Sequence, residues 1–199
     1  MDESLAALLA ELEAFGRNND ATITDRPRRM LNITRDTGEF LAVLVGATNS
    51  RRVLEIGTSN GYSTLWLAHA VRAIGGRVTT VDWSALKVSM AAQNFVSAGL
   101  ASFITQVQDD AGKMLASQDD ASVDLLFLDS ERPEYPGWWP HIKRVLRPGG
   151  LLVVDNATSH PAEMAPFVAL VEADQQFVTC LVPVGNGEFM ATRALTSSV

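Results

Sequence analysis

Acidic residues recur in this sequence wherever an apolar run ends. They follow five such runs and are Glu55, Asp82, Asp109 with Asp110, Asp129, and Asp155 with its neighbour Asn156. Aspartate is a common N-cap of the helix after a strand, which explains one or two of these positions. It explains the whole set poorly, because like charges along one sheet edge repel unless a cation or hydrogen-bond donors hold them. The pattern therefore favours a ligand site formed by several strand ends.

Two glycines follow the first of these runs. Gly57 and Gly61 separate the apolar stretch Val53–Ile56 from residues with helical spacing, so we predict a strand, a tight turn and the start of a helix. Glycine lets the backbone approach a ligand closely, and a helix N-terminus offers unpaired N–H groups. A nucleotide-like ligand is the first hypothesis.

The spacing of the glycines argues against a pyrophosphate. The dinucleotide fingerprint is Gly-x-Gly-x-x-Gly, whereas this turn is Gly57-x-x-x-Gly61 with Glu55 two residues before it. An acid at that position suits a ligand with a positive group and no phosphate, such as the amino-acid part of S-adenosylmethionine. Asp82, at the end of the next strand, is placed to accept hydrogen bonds from ribose hydroxyls.

The chain alternates between predicted strands and helices, and this order brings the acidic strand ends together. Predicted strands span 52–56, 77–82, 103–107, 123–128 and 150–154, and predicted helices span about 61–73, 84–98, 110–117, 137–145 and 161–173. Runs such as Leu125–Leu128 lack period-two alternation, which is typical of strands covered on both faces. Two β-rich runs, 177–182 and 188–193, predict a closing antiparallel hairpin. We therefore predict an α/β fold with a Rossmann-like, doubly wound, seven-stranded sheet that is mostly parallel and has helices on both faces.

Residues 1–50 precede this alternation. An apolar stripe from Leu5 to Phe15 predicts an amphipathic helix, and the stretch from Gly16 to Arg29 is polar and irregular. The stretch Asp36-Thr-Gly-Glu39 has capping-box spacing and predicts the start of a second helix. We predict a single domain over 1–199, in which 1–50 form a helical segment and 51–199 form the ligand-binding core.

Composition and charge limit the function further. The 199 residues carry a formal net charge of −7, and the isoelectric point is about 4.9. An acidic surface makes a nucleic-acid partner unlikely, and we interpret the basic cluster of Arg26, Arg28, Arg29 and Arg35 as a solvated face. Cys180 lies in an apolar run and is predicted to be a buried structural thiol. The N-terminus lacks signal-peptide features and no apolar run reaches membrane-spanning length, so we expect a cytoplasmic protein without a membrane partner.

The motifs taken together resemble those of a known family. The chain is similar to the class I S-adenosylmethionine-dependent methyltransferases and, within them, to the metal-dependent small-molecule O-methyltransferases related to catechol and caffeoyl-CoA O-methyltransferases. The resemblance runs from about Met30 to Arg193. It rests on Glu55-Ile-Gly57-Thr-Ser-Asn-Gly61-Tyr62-Ser63, Val81-Asp82, Asp110-Ala111, Leu128-Asp129 with Tyr135, Arg147-Pro-Gly-Gly150 and Val154-Asp155-Asn156.

The resemblance implies two ligands side by side. S-adenosylmethionine is expected to contact Met30, Glu55, Gly57, Thr58, Ser59, Gly61, Tyr62, Ser63, Asp82, Trp83, Asp110, Ala111 and Asp129. A divalent cation, most simply Mg²⁺, is expected on Asp129, Asp155 and Asn156, because three oxygen donors suit a hard cation. Structural roles also stay open for Met30, Tyr62, Trp83 and Asp110. The family further implies a small-molecule acceptor and a homodimer, with 1–50 as the lid and dimer segment.

The implied catalytic residues are Asp129, Arg132 and Asp155, and Arg132 departs from the family pattern. Many members carry Asp-x-x-Lys after the fourth strand, with the lysine assigned as general base, whereas this chain has Asp129-Ser-Glu-Arg132. Arginine stays protonated at any working pH, so Arg132 cannot take a proton. It can still stabilise a phenolate or an acidic substrate, and the metal would then do most of the activation.

The loop Asn156–Pro161 is shorter than is usual in the family, which suggests a more open site or a different acceptor. His160 in this loop is a candidate base or extra ligand, although a surface turn is the simpler interpretation. Helix packing is the simpler interpretation for the remaining candidates, which are His69, His141, Trp138 and Trp139.

Three functions stay open on these grounds. The first is metal-assisted methyl transfer to a hydroxyl of a small acceptor with vicinal oxygens, such as a catechol-like or polyhydroxylated aromatic compound. The second is metal-independent methylation of another acceptor, including tRNA. The third is S-adenosylmethionine binding without catalysis, which the arginine at position 132 permits. Metal dependence of turnover separates the first two, and cofactor binding without turnover favours the third.

Overall fold

The computed structural model describes residues 1–195, which form a seven-stranded sheet flanked by helices. The strands are β1 (Arg52–Ile56), β2 (Arg77–Asp82), β3 (Ile104–Gln108), β4 (Val123–Leu128), β5 (Leu146–Val154), β6 (Phe177–Val182) and β7 (Glu188–Arg193). The helices are α1 (Glu3–Thr22), α2 (Arg35–Thr48), α3 (Tyr62–Ala73), α4 (Ala85–Ser97), α5 (Ala111–Ser117), α6 (Tyr135–Val145) and α7 (Pro161–Glu172). The strand order is β3-β2-β1-β4-β5-β7-β6, and β7 alone is antiparallel to its neighbours. The predicted fold class is confirmed.

Parallel pairing brings the carboxyl ends of the central strands to one edge. Strand β1 pairs in parallel with β2 and β4, and β4 pairs in parallel with β5. The ladder continues one residue beyond the strands, since the Asp129 N–H donates to the Ile56 carbonyl at 3.0 Å and the Asp155 N–H donates to the Leu128 carbonyl at 3.1 Å. The topology therefore fixes both acids at the same edge, as ligand sites in open α/β sheets require.

Helices cover both faces of the sheet, which explains the continuous apolar runs. Leu125 and Phe127 of β4 belong to a cluster with α1, α2 and α3, whereas Leu126 and Leu128 belong to a cluster with α6 and α7. All four side chains are fully buried. Burying one such side chain contributes about 1.5–3 kcal/mol. The N-terminal helices therefore share the hydrophobic core of the sheet.

The N-terminal helices differ from the sequence prediction. Helix α1 continues to Thr22 because Gly16 is buried where a Cβ would lie 2.5 Å from the Asn32 amide, a tertiary contact that local polarity does not reveal. Helix α2 begins at Arg35, with Thr34 as its N-cap, so the predicted capping box around Asp36 is wrong. Asp36 instead accepts a hydrogen bond from the Gly185 N–H at 3.1 Å.

Two further expectations are corrected at the far edge of the sheet. Strand β5 begins at Leu146 rather than at residue 150, because a register shift in the β4–β5 pairing accommodates the extra residues. Cys180 is exposed, not buried, because β6 is the edge strand and its outer side chains face solvent, as Val178 also does at 75% exposure. None of the helices within residues 1–195 is long and apolar enough to cross a membrane.

Candidate active site

A cavity of about 750 Å³ opens at the carboxyl edge of the sheet. Residues from every predicted strand end line it, together with the segment that connects α1 and α2. The donor end is the part lined by Gly57, Ser59, Asp82, Trp83, Asp110 and Ala111, and the acceptor end is the part lined by Arg26, Asp129, Arg132, Asp155, Asn156 and His160. The structure therefore brings the predicted strand-end residues, with the exception of Glu55, into one cavity.

The turn between β1 and α3 has a backbone conformation that requires two glycines. Gly57 has a φ of +109°, and a Cβ there would lie 2.0 Å from the Asp129 carbonyl oxygen. Gly61 has a φ of +86°, and a Cβ there would lie 2.5 Å from the Phe95 ring. Both positions therefore require glycine, because a side chain would be strained and would collide. Their spacing makes the turn pack directly against the end of β4.

Ser59 ties the turn to two other parts of the cavity. Its N–H donates to the Asp82 carboxylate at 2.9 Å, and its hydroxyl donates to the Met30 carbonyl at 2.6 Å. Asp20 in turn accepts from the N–H groups of Met30 at 2.7 Å and Leu31 at 2.9 Å. The segment over the donor end is thus fastened to α1 on one side and to the glycine turn on the other.

Asp82 keeps acceptor capacity for a ligand. Besides Ser59, its carboxylate accepts the Ser84 N–H at 2.9 Å. A carboxylate has about four lone-pair sites, so two backbone bonds leave room for hydroxyl donors. Trp83 beside it is 67% exposed and lines the cavity. Asp110 also lines the cavity and caps α5 by accepting the Lys113 N–H at 2.9 Å, so its structural role and its cavity position coexist.

Glu55 lies beneath the turn and not in the cavity. It is fully buried and accepts hydrogen bonds from Ser63 at 2.5 Å, from Thr80 at 2.6 Å and from Thr64. Loss of hydration on burial raises the pKa of Glu55 to about 7, although the three hydroxyl bonds lower it. Glu55 therefore braces the turn from below.

Four other predicted cofactor residues also lie behind the turn and do not line the cavity. They are Thr58, Gly61, Tyr62 and Ser63. The Thr58 hydroxyl bonds to Thr80 at 2.6 Å, and the buried Tyr62 ring packs edge-on against Trp66 with centroids 6.5 Å apart. These four residues shape the turn, and their contact with the cofactor stays a prediction.

The acceptor end holds a pair of carboxylates, Asp129 and Asp155. Asp155 is 3% exposed and Asp129 is half-buried, and the side chain of Glu188 in β7 forms a hydrogen bond with Asp155. Loss of hydration and then the charge of Asp155 raise the pKa of Asp129 well above its usual range, and loss of hydration also raises the pKa of Asp155. The charge of Asp155 therefore disfavours ionisation of Asp129, and a cation between the two carboxylates would offset this repulsion.

Asn156 joins the two carboxylates. Its side-chain N–H₂ donates to Asp129 at 3.1 Å and to Asp155 at 2.9 Å, and its φ of +71° places the residue in the left-handed region. Within the described residues no group of three or more His, Cys, Asp and Glu side chains could hold a metal. A metal site here would therefore depend on the amide of Asn156. Two carboxylates and an amide fit a hard cation, provided that the amide turns its oxygen and not its N–H₂ toward them.

Arg132 enters the acceptor end from the segment after β4. It is 5% exposed, and its Nε donates to Glu163 of α7 at 2.8 Å. Its charge lowers the pKa of Asp129 and Asp155, although burial outweighs this effect at both acids. The loop that carries Arg132 is fixed by the buried Tyr135, whose hydroxyl accepts the Ser130 N–H at 2.7 Å.

Sequence reasoning missed Glu188, a fully buried acid at the start of β7. Thr37 of α2 donates to it at 3.0 Å. Loss of hydration, followed by the charge of Asp155, raises the pKa of Glu188 to about 9. Its sequence signal was a single acid between a glycine turn and an apolar strand, which does not reveal that the residue lies beside Asp155.

The remaining histidine and tryptophan candidates differ in whether they line the cavity. His160 lines the cavity with its Nδ1 at 2.9 Å from the Ser159 hydroxyl, whereas His69 and His141 do not line it. Trp138 lines the cavity, and a Cβ at Gly112 would lie 3.0 Å from its indole nitrogen, so it stands next to α5. Trp139 is buried and packs on Phe167 and Phe177.

Comparison with known proteins identifies the family. A family model described as "O-methyltransferase" matches residues 6–194. The catechol O-methyltransferase of Mycobacterium tuberculosis (strain ATCC 25618 / H37Rv) is 34% identical over 157 residues, which cover 78% of this chain and 65% of that protein. The catechol O-methyltransferase of Niastella koreensis is 33% identical over 132 residues, which cover 63% of this chain and 58% of that protein. The matched part thus spans about 60% of these two relatives.

Solved structures agree. The O-methyltransferase TomG from Streptomyces achromogenes, involved in tomaymycin synthesis and solved in complex with S-adenosylmethionine, is 27% identical. It superposes with a TM-score of 0.78 over 98% of this chain and 91% of that chain. On the family match, the fold and these relatives, the chain belongs to the O-methyltransferase family and is a class I S-adenosylmethionine-dependent O-methyltransferase.

Proposed function

We propose that this enzyme methylates one hydroxyl of a small acceptor with two vicinal oxygens, such as a catechol-like aromatic compound, with the help of a divalent cation. The observation that carries the proposal is the pair of carboxylates next to the donor end, the half-buried Asp129 and the buried Asp155, both with raised pKa values. Such a pair is costly unless a cation neutralises it. Catechol O-methyltransferases among the relatives support the acceptor class.

S-adenosylmethionine would lie at the donor end. Gly57 and Ser59 would face its amino-acid part, since they line the cavity where the backbone approaches most closely. Asp82 would accept the ribose hydroxyls, and Trp83 with Ala111 would flank the adenine. Because both ends belong to one cavity, the two reacting groups would be held beside each other and the entropy cost of their encounter would fall.

The acceptor would be activated at the other end. Asp129, Asp155 and Asn156 would hold Mg²⁺, which on binding lowers the pKa of a coordinated hydroxyl. Arg132 cannot remove the proton because it stays charged, but its positive charge beside Asp129 stabilises a developing oxyanion. Bound S-adenosylmethionine would supply the methyl group, and the proton of the acceptor hydroxyl would pass to solvent because Arg132 cannot take it.

A methyl-transfer assay tests the proposal. Catechol-type and non-catechol acceptors are compared with Mg²⁺ and with a chelator, for the wild type and for Asp155→Ala. We expect chelation or Asp155→Ala to remove nearly all turnover of the catechol acceptors, while Asp119→Ala, at an exposed acid remote from the cavity, behaves as the wild type. Activity that resists the chelator, or a fully active Asp155→Ala, would refute the metal mechanism.

A further inference from the structure

Positive charge is concentrated at the acceptor end beyond what methyl transfer requires. Arg132 is the deepest of these groups, and among residues 1–195 only its Nε makes a hydrogen bond, to Glu163. A guanidinium has five N–H donors. The terminal nitrogens of Arg132 are not among the buried side-chain atoms that lack a partner, so their donors are open to water or to a ligand in the cavity.

Arg26 and His160 stand around the same ion pair. Arg26, in the 3₁₀ turn 26–28 between α1 and α2, lines the cavity, and so does His160 before α7. The hydrogen bond from Arg132 lowers the pKa of Glu163 most, and the charges of His160 and Arg26 lower it further. The single exposed carboxylate of Glu163 is therefore approached by three cationic or potentially cationic side chains.

The acids of the cavity do not cancel this charge locally. Asp82, Asp109 and Asp110 lie at the donor end, and Asp20 is engaged by two backbone N–H groups. Glu131 and Glu134 also line the cavity but are exposed, so water and salt screen them. Asp129 and Asp155 would be neutralised by a divalent cation. The net field at the acceptor end then favours an anion.

We infer that the natural acceptor carries a carboxylate in addition to its vicinal hydroxyls, and that Arg132 and Arg26 select it. The guanidinium of Arg132 offers the planar fork that matches a carboxylate, and Glu163 holds that fork through Nε as a positioning residue. This inference rests on the proposed function and narrows its substrate class. Aromatic diols with an amine in place of the carboxylate are disfavoured.

The experiment compares a matched pair of acceptors, 3,4-dihydroxybenzoate and its neutral analogue 3,4-dihydroxybenzamide, with dopamine as the cationic case. The kcat/KM is measured at neutral pH with Mg²⁺, and the dissociation constant of each acceptor is measured by titration of the protein saturated with S-adenosylhomocysteine. We expect the wild type to favour the carboxylate over the amide by about tenfold or more, since one charge-assisted hydrogen bond supplies that ratio. Dopamine is expected to be the poorest of the three.

Four variants test which side chains cause the preference for the carboxylate over the amide. Arg132→Gln and Glu163→Gln are expected to remove most of the carboxylate-to-amide ratio, mainly through KM, and Arg132→Lys to restore part of the loss in Arg132→Gln. Arg26→Gln is expected to reduce the ratio about threefold or more by lowering long-range attraction. Arg28→Gln is the matched control, because Arg28 lies in the same turn and is exposed but does not line the cavity. Affinity for S-adenosylhomocysteine confirms that each variant is folded.

The outcomes separate this inference from the proposed function. Methylation of the diols without a carboxylate preference, or with a preference that Arg132→Gln and Arg26→Gln leave intact, overturns the inference while the proposed function stands. If no diol is methylated, the proposed function fails and the titrations decide the inference. Tighter binding of the benzoate that depends on Arg132 supports it, and equal binding of benzoate and benzamide overturns it.

Discussion

Replacing Glu55 with glutamine tests the position of this acid beneath the glycine turn. Loss of hydration raises the pKa of Glu55 from 4.5 to about 7 in the folded protein. The unfolded chain therefore releases this proton first as the pH rises. The contribution of Glu55 to stability is fully present below about pH 4.5 and is lost as the pH rises through about 7. The shift of roughly 2.5 units corresponds to about 3.4 kcal/mol at 1.36 kcal/mol per unit.

The expected result follows from this linkage. Between pH 5 and pH 8 the wild type should lose about 2.5 kcal/mol more unfolding free energy than Glu55→Gln, because glutamine stays neutral and can still bond to the three hydroxyls. Urea unfolding at pH 5, 6.5 and 8 without cofactor measures the difference. The exposed Glu11 of α1 supplies the control, and Glu11→Gln should follow the wild-type curve. Parallel curves for the wild type and Glu55→Gln would refute the reasoning.

The same variant decides between two roles for Glu55. A brace beneath the turn predicts that the affinity of Glu55→Gln for S-adenosylmethionine at pH 6 stays within about threefold of the wild type, because the acid is then largely protonated in the folded protein. A direct contact with the amino group of the cofactor predicts a much larger loss, since a charged hydrogen bond contributes about 1.5–3 kcal/mol. Titration of both proteins at pH 6 distinguishes the two roles.

Three further predictions concern the supports of the site. Asp82→Asn should weaken S-adenosylmethionine binding about tenfold in an equilibrium titration, while Asp119→Asn has no effect, because one charged acceptor is lost at the donor end. Gly57→Ala should lower the unfolding free energy measured by urea denaturation by about 2–4 kcal/mol, because the φ is positive and the new Cβ would collide with the Asp129 carbonyl. Gly46→Ala is the control, since Gly46 lies in α2 with open space around it, and should raise the unfolding free energy slightly. Burial raises the pKa of Asp124, but hydrogen bonds from Arg52 and Arg147 outweigh this effect and lower the pKa from 3.8 to about 2. Asp124 therefore stabilises the folded protein above about pH 4. Asp124→Asn should lower the unfolding free energy by about 2 kcal/mol at pH 7. That loss should vanish as the pH falls toward 2, and a loss that persists there would contradict the assignment.

Strands β1, β4 and β5 were predictable because each contains a short apolar run bounded by polar residues or glycine. Strand β4 matches its predicted bounds, since all of its side chains are buried and no local signal competes with the pattern. The ends of the strands were predictable for the same reason, and with them the two sets of acids around the cavity. Local sequence patterns were thus enough to predict most of the sheet and much of the candidate site.

The errors arise where tertiary contacts decide. Cys180 sits in an apolar run whose outer side is solvent only because β6 has one neighbour. Tyr62 follows the glycine turn, yet the rotation of α3 directs its ring to Trp66 and away from the cavity. Glu188 lies beside Asp155, and its hydrogen-bond partner Thr37 lies 151 residues earlier in the chain. Spacing along the chain contains none of this information.

The contact between Thr37 and Glu188 has a consequence for the order of folding. The donor end is built largely from one stretch of sequence, since Ser59 bonds to Asp82 only 23 residues away. The acceptor end is braced by contacts between α2 and the final hairpin that span 149 and 151 residues. Contacts of such long range form late, because the loop entropy is lost before they form. A chain emerging from the ribosome therefore completes its donor pocket first, and the acceptor pocket closes only after the last strand has inserted between β5 and β6.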